Sequence, residues 1–391
     1  MSERPRTARA GWLLSSAIIA CALIWCAGTP ARAADFPAAF VVADVPVDAT
    51  GQTPATARDA AQLDGERRAF RQLLERLTAK SDWGRLPAAN DAQLGQVVQD
   101  FEVVSERALA TRYVGRYTFR FNPRETRRLL QSANIPFTEL ASKPVVIVPV
   151  LKTAGQVRLW DDPNPWRAAW NAANHKSGLV PFAVPIGDLG DVQAFDVSAA
   201  SAPKPEQIAA LSNRYGGGDP VVVIAAETTA GSDTVLDITA TRYGLTGTDT
   251  ATARAQAPKA GGEPYASAVG AVLRALEENW KQATISHGGS GTLVVSVPVA
   301  GGLADWIGVR DRLARIVTIK GQDVLFLSKD EVRVQLRFTG DPGQLRIACA
   351  QQDLILAQAD PFWTLRRRAA AETAAAPGSV AAPVAGSTPS P

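Results

Sequence analysis

The sequence predicts an α+β, multidomain protein, with a small α+β N-terminal domain, an α/β middle domain and a ferredoxin-like (βαββαβ) C-terminal domain. Three patterns carry that expectation. Tyr113, Gly115, Tyr117, Phe119 and Phe121 alternate with Arg112, Arg116, Thr118 and Arg120, the period of an antiparallel strand with one buried face. The runs Val145–Val150 and Val221–Ala226 are apolar at every position, the signature of strands covered on both sides. Beyond residue 290, apolar runs and helical stripes follow in the order β-α-β-β-α-β, the split βαβ arrangement. A chain of 391 residues also exceeds what one core usually organises.

The expected units, in chain order, are a signal peptide over 1–33, an α+β domain over 36–140, an α/β domain over 142–286, a ferredoxin-like domain over 291–366 and a disordered tail over 369–391. Arg4, Arg6 and Arg9 precede the uncharged apolar stretch Gly11–Ala27, and Ala31-Arg32-Ala33 has the small-x-small form of a cleavage site. That is the pattern of an export leader, with the mature chain starting near Ala34 and working in the periplasm. A rival reading takes Ile18-Ile19-Ala20-Cys21 as a lipobox, which makes the protein a membrane-anchored lipoprotein, although the residues after Cys21 stay apolar where a polar tether is normal. Retention of the leader as an uncleaved anchor is the third case, with an apolar stretch that is marginal for crossing a bilayer. Residues 1–33 hold four of the 41 basic and one of the 38 acidic side chains, so cleavage leaves 37 of each sign. A neutral mature chain lacks the concentrated positive surface of a nucleic-acid binder. Cys349 is then the sole thiol, and one thiol forms no internal disulfide.

In the first domain, Phe40–Val47 reads as a strand. A helix capped by Thr53 or Thr56 follows, with Ala60, Leu63, Phe70, Leu73, Leu74 and Leu77 as its apolar stripe. Asp64 with Arg68 and Arg71 with Glu75 are i,i+4 pairs on its wet side, and Gly65 implies close packing on a sheet. Pro123 opens a second helix that stops near Asn134 and Pro136. In the middle domain, helices are expected over Trp166–Asn174 and Glu206–Tyr215, an edge or open-faced strand at Leu236, Ile238 and Ala240, and a closing helix through Val269, Val272, Leu273, Leu276 and Trp280. The joint His287-Gly288-Gly289-Ser290-Gly291 leads to strands over Leu293–Val299, Val324–Leu327, Val332–Phe338 and Leu354–Leu356, with helices around Trp306 and Leu345 between them. From about Ala369 the chain is Ala, Pro, Gly, Ser and Thr, too poor in large apolar groups to offset its ordering entropy.

Few residues point to chemistry. His175 and His287 stand alone in sequence, without Cys or carboxylate at ligand spacing, so no metal and no cofactor is expected. Cys349 reads as a small buried hydrophobe. Gly216-Gly217-Gly218 follows a helix and precedes a strand, the reverse of a phosphate loop, and reads as a helix stop. Two surfaces remain as candidates. Arg112, Arg116 and Arg120 on one strand face suit phosphates or carboxylates, against the bland alternative of a solvated sheet face. Trp160, Asp161, Asp162, Trp166 and Trp170 crowd one turn and the helix after it. Asn164 as N-cap, Pro165 at the first helical position and a Trp166–Trp170 pair one turn apart account for most of that segment structurally. Its functional alternative is an aromatic-lined binding rim, and adjacent carboxylates on one loop do not reproduce the facing geometry of a glycosidase.

Val45-Pro46-Val47, Asp64–Phe70 with Leu77-Thr78, Asn164-Pro165-Trp166 with Trp170, and Asp305-Trp306 with Arg310, Arg312 and Leu313 together resemble a bacterial exported family catalogued as domain of unknown function 2066. That resemblance implies cell-envelope context and assigns no reaction, cofactor or catalytic residue. The middle unit is similar in pattern to the TolB N-terminal type of α/β domain, which implies protein partners by analogy. The function expected is therefore that of an exported envelope protein, non-enzymatic, binding other envelope proteins or cell-wall material. It is expected to bind no nucleic acid, and membrane only through a retained or Cys21-lipidated N-terminus. The alternatives are a lipid-anchored regulator of an envelope enzyme and a glycan hydrolase using Asp161 and Asp162.

Overall fold

The computed structural model describes residues 36–173, 178–230, 233–256, 264–286 and 288–368. The leader with Cys21, His175, His287 and the tail expected over 369–391 lie outside them. Ala38–Pro391 forms one compact unit, an α+β structure built on three sheets. Among the described residues no helix is long and apolar enough to cross a membrane.

The first sheet comprises β1 (Val41–Thr50), β2 (Val98–Ala108) and β3 (Arg112–Phe121), antiparallel in the order β1-β3-β2. Helices α1 (Pro54–Leu77) and α2 (Asp91–Val97) lie between β1 and β2, and α3 (Pro123–Ser132) follows β3. Thr53 caps α1 and exchanges reciprocal bonds with Thr56, while Pro54 takes the first turn where its missing N–H costs nothing. The buried stripe differs from the expected one in its first half. Ala57, Ala61, Gly65 and Ala69 face the sheet, and Ala60 is exposed. Small side chains allow a close approach there. A Cβ on Gly65 would stand 2.6 Å from Val47 Cγ1 and 3.1 Å from Phe119 Cζ.

The second sheet contains β4 (Val145–Thr153), β5 (Gln156–Arg158), β6 (Phe182–Ala183), β7 (Pro220–Ala230), β8 (Asp233–Gly244) and β9 (Gly247–Gln256). Its order is β5-β4-β7-β8-β9, with β6 beside β4. The two all-apolar runs are β4 and β7, parallel neighbours inside the sheet. Helices α4 (Pro165–Ala172), α5 (Leu189–Ala194) and α6 (Pro205–Arg214) fall between them, and α7 (Pro264–Thr284) follows β9. Strand β8 is interior rather than an edge, open on one face where Asp237 and Thr239 are exposed. At the end of α6 the Gly217 N–H closes on Ser212 O at 2.8 Å, the helix stop expected of the glycine run.

The third sheet follows the expected order through β10 (Ser290–Pro298), α8 (Leu303–Leu313), β11 (Ile319–Leu327), β12 (Glu331–Thr339), α9 (Pro342–Ala350) and β13 (Leu354–Ala357). A further strand, β14 (Trp363–Arg367), alters the sheet. It wedges between β10 and β13, parallel to β10, giving five strands in the order β11-β12-β10-β14-β13. The split βαβ arrangement thus carries an inserted strand where its fourth would meet its first.

Polar contacts tie the first sheet's helices to the second. Lys281 of α7 donates to the carbonyls of Glu75 (3.0 Å) and Thr78 (2.8 Å), which are the unsatisfied acceptors at the end of α1. Its ammonium pairs with Glu278 at 2.9 Å and lies 5.3 Å from the centre of the Trp83 ring. Trp280 Nε1 donates to Leu140 O at 2.6 Å.

Candidate functional site

The arginine stripe occupies the solvent face of β3, as its alternation requires, but its charge is spent. Arg112 holds Asp48 with two bonds of 2.9 and 2.6 Å, Arg116 holds Asp44 at 2.8 Å, and Arg120 spans Asp100 at 2.7 Å and Glu102 at 2.9 Å. These carboxylates come from β1 and β2, which flank β3. The Arg112 bond holds Asp48 below the usual carboxylate range, and the bonds to Asp100 and Glu102 raise the Arg120 guanidinium. Four carboxylates meet three cations on this face, so an anionic ligand would have to break existing pairs. The three arginines expected as an anion site, Arg112, Arg116 and Arg120, thus stand on this face as ion pairs with Asp44, Asp48, Asp100 and Glu102.

The tryptophan turn also resolves structurally. Trp166 and Trp170 are wholly buried, their rings 5.6 Å apart and nearly perpendicular. Trp166 Nε1 donates to Val223 O at 3.2 Å, anchoring α4 to β7. Asn164 caps α4 by accepting the Arg167 N–H at 3.1 Å. Trp160 is partly buried and donates to Phe195 O at 2.7 Å. Neither Trp166 nor Trp170 offers a face to a ligand, which removes the aromatic rim. Asp161 and Asp162 are exposed neighbours on one turn, and Arg167 stands 3.9 Å from Asp162. They do not face one another across a cleft, so the pair lacks the opposed geometry of glycoside hydrolysis.

Elsewhere, Cys349 is packed in the core of the third sheet, where burial pushes its thiol up to about 12. A protonated, enclosed thiol is no nucleophile. Among the described residues no group of three or more His, Cys, Asp or Glu is placed to hold a metal ion.

The surface that stands out is β11. It lies at the edge of its sheet and pairs only with β12 among the described residues, so one row of its backbone N–H and C=O groups faces outward. Val324, Leu325, Phe326 and Leu327 follow one another and are 51, 54, 45 and 59% exposed. Such a run is apolar on both faces of the strand, the pattern of a covered strand, yet about half of each side chain is left in solvent. Arg333 of β12 lies 5.0 Å from the centre of the Phe326 ring and 4.8 Å from that of Phe362, holding the Phe326 ring in place from one side. Sequence reasoning places a strand here and misses its exposure, because edge position is a property of the sheet and not of the segment.

Residues 44–139, which span β1 to the loop after α3, match a family model described as Domain of unknown function (DUF8605). No curated protein matches the chain. This family differs from domain of unknown function 2066, so the resemblance drawn from short motifs is overturned, and nothing supports the TolB N-terminal type for the middle unit. The motifs behind the family-2066 reading are packing devices, such as Gly65 under the sheet, the Asn164 cap and Pro165 in the first turn, which unrelated chains reach independently.

Proposed function

We propose that this chain is exported to the cell envelope and acts there as a non-enzymatic protein-binding module, receiving an extended segment of a partner protein as an added strand along β11. The observation that carries this reading is the exposed run Val324–Leu327 on an unpaired edge. Edge backbone groups supply strand-spaced hydrogen bonds, and alternate apolar side chains supply contacts on both faces, which is how β-augmentation works. Covering the exposed parts of these four side chains contributes roughly 1 kcal/mol each, before the cost of association. The four side chains of the run offer a glycan no hydrogen-bonding group. A second copy fits poorly, because β11 is bulged near Lys320 and Leu325, and two-fold pairing would set the same irregularities against each other. The leader pattern at residues 1–33 supports the envelope location.

A photoreactive residue placed at Leu325 in intact cells is expected to give one adduct of defined mass, while the same residue at exposed Val104 on β2 gives none. The captured partner, added back to purified protein, is then expected to slow hydrogen exchange at β11 amides. Equal adducts at both positions, an adduct of twice the chain's mass, or unchanged exchange would overturn the reading. Cell fractionation with intact mass tests the location: a periplasmic chain starting at Ala34 is expected, and recovery in the cytosol with residues 1–33 attached refutes export.

A further inference from the structure

A polar groove of about 450 Å³ opens between α8, the loop before it and β14. Three guanidinium groups, Arg312, Arg367 and Arg368, line it together with two carboxylates, Asp305 and Asp353. Both carboxylates are already engaged. Asp305 accepts from Arg367 and from the Gly301 N–H at 2.6 Å. Asp353 accepts from Lys143 at the rim and stands 3.8 Å from Arg368, so two cations share it. Arg312 differs from the rest, since among the described residues its guanidinium bonds only the neutral Gly308 carbonyl at 2.9 Å.

The arginines also converge. The position a Cβ would take on Gly308 lies 3.5 Å from Arg367 Nη1 and 3.6 Å from Arg312 Nη1. Gly308 sits inside α8, where glycine costs helix stability of about 1 kcal/mol relative to alanine, and its bare Cα leaves the floor beneath both groups open. Asp305 neutralises Arg367, but Arg312 has no carboxylate partner among the described residues and Arg368 shares Asp353 with Lys143, so the groove keeps a positive excess that attracts an anion. Planar guanidinium forks match the oxygens of phosphate, and a dianion neutralises two of them at once. We propose that this groove binds the phosphate group of a small anionic ligand or of a lipid headgroup, held between Arg312 and Arg367.

Calorimetric titration of the purified chain with inorganic pyrophosphate tests the site. Arg312→Gln is expected to weaken binding at least about tenfold, as loss of a charge-assisted hydrogen bond does, with an unchanged unfolding midpoint, and Arg312→Lys to recover part of the loss. Arg310→Gln, on the same helix and already paired with Asp311, is expected to bind as the parent does. Flotation with vesicles of phosphatidylglycerol and phosphatidylcholine in equal parts separates the sources. Flotation that pyrophosphate competes away and Arg312→Gln abolishes assigns a headgroup, and pyrophosphate binding without flotation assigns a soluble phosphoester. A parent protein that binds neither probe, or equal weakening by Arg310→Gln, overturns the proposal.

Discussion

Glu277 shows how one side chain carries the pH behaviour of a junction. Its Oε1 accepts the Leu179 N–H at 3.0 Å, and Arg76 and Lys281 face it from α1 and from its own helix. Burial raises its carboxyl above the usual range, against the opposing pull of Arg76, the Leu179 bond and Lys281. The folded chain therefore keeps a proton that the unfolded chain has already lost. Stability contributed by this group is present at low pH and falls as pH rises from the ordinary carboxylate value through the raised one. Glu277→Gln is expected to flatten that descent and to leave the protein more stable than its parent above it. Denaturant midpoints across a pH series check this, and parallel curves for the two proteins would contradict it. Residue-level features of this kind were partly readable in advance. The Thr53 cap, the tight seat of Gly65 and the buried Cys349 follow from side-chain size and polarity, whereas the Glu277 environment needs segments a hundred residues apart to meet.

At the scale of elements, strands with a clear period were legible and short or exposed ones were not. The alternation in β3 named both its faces, yet the partners of its arginines lie on β1 and β2, and no local pattern tells which acid reaches which base. Because the Arg116–Asp44 pair is largely exposed, with about half of each side chain in solvent, its removal should cost little. Arg116→Ala is expected to shift stability by no more than about 0.5 kcal/mol, less in high salt. Urea melts at two ionic strengths measure it, and a loss several times larger would mean that the face is more than a solvated surface. Strand β14 escaped notice because five residues with two arginines, close behind Pro361, carry no period of their own. The β11 run was legible as a strand but its exposure was not, since a continuous apolar segment records that burial is favourable and not whether this chain supplies it.

At the scale of the whole molecule, three sheets share one compact unit, and the ties between them are specific. Lys281 reaches the end of α1, Arg368 donates to Gly217 O and Ser212 Oγ at 3.0 Å each, and Arg346 donates to Thr246 O at 3.0 Å. Removing the buried ammonium leaves two carbonyls without their donor. Lys281→Met is expected to cost about 2–3 kcal/mol and to lower one cooperative transition; a melt that splits into two steps would show instead that the first sheet unfolds on its own. The α+β class was legible because each sheet carries its own period and helices. The ties were not, because each is a single long side chain finding a distant backbone carbonyl.

The place of β14 has a further consequence. Strand β13 precedes β14 in the chain but among the described residues pairs only with it, and β14 is what joins it to β10. During synthesis the last sheet is left with an unfinished middle until residues 363–367 emerge. A nascent chain halted short of Trp363 has an open seam there, with the facing backbone groups of β10 and β13 left unpaired.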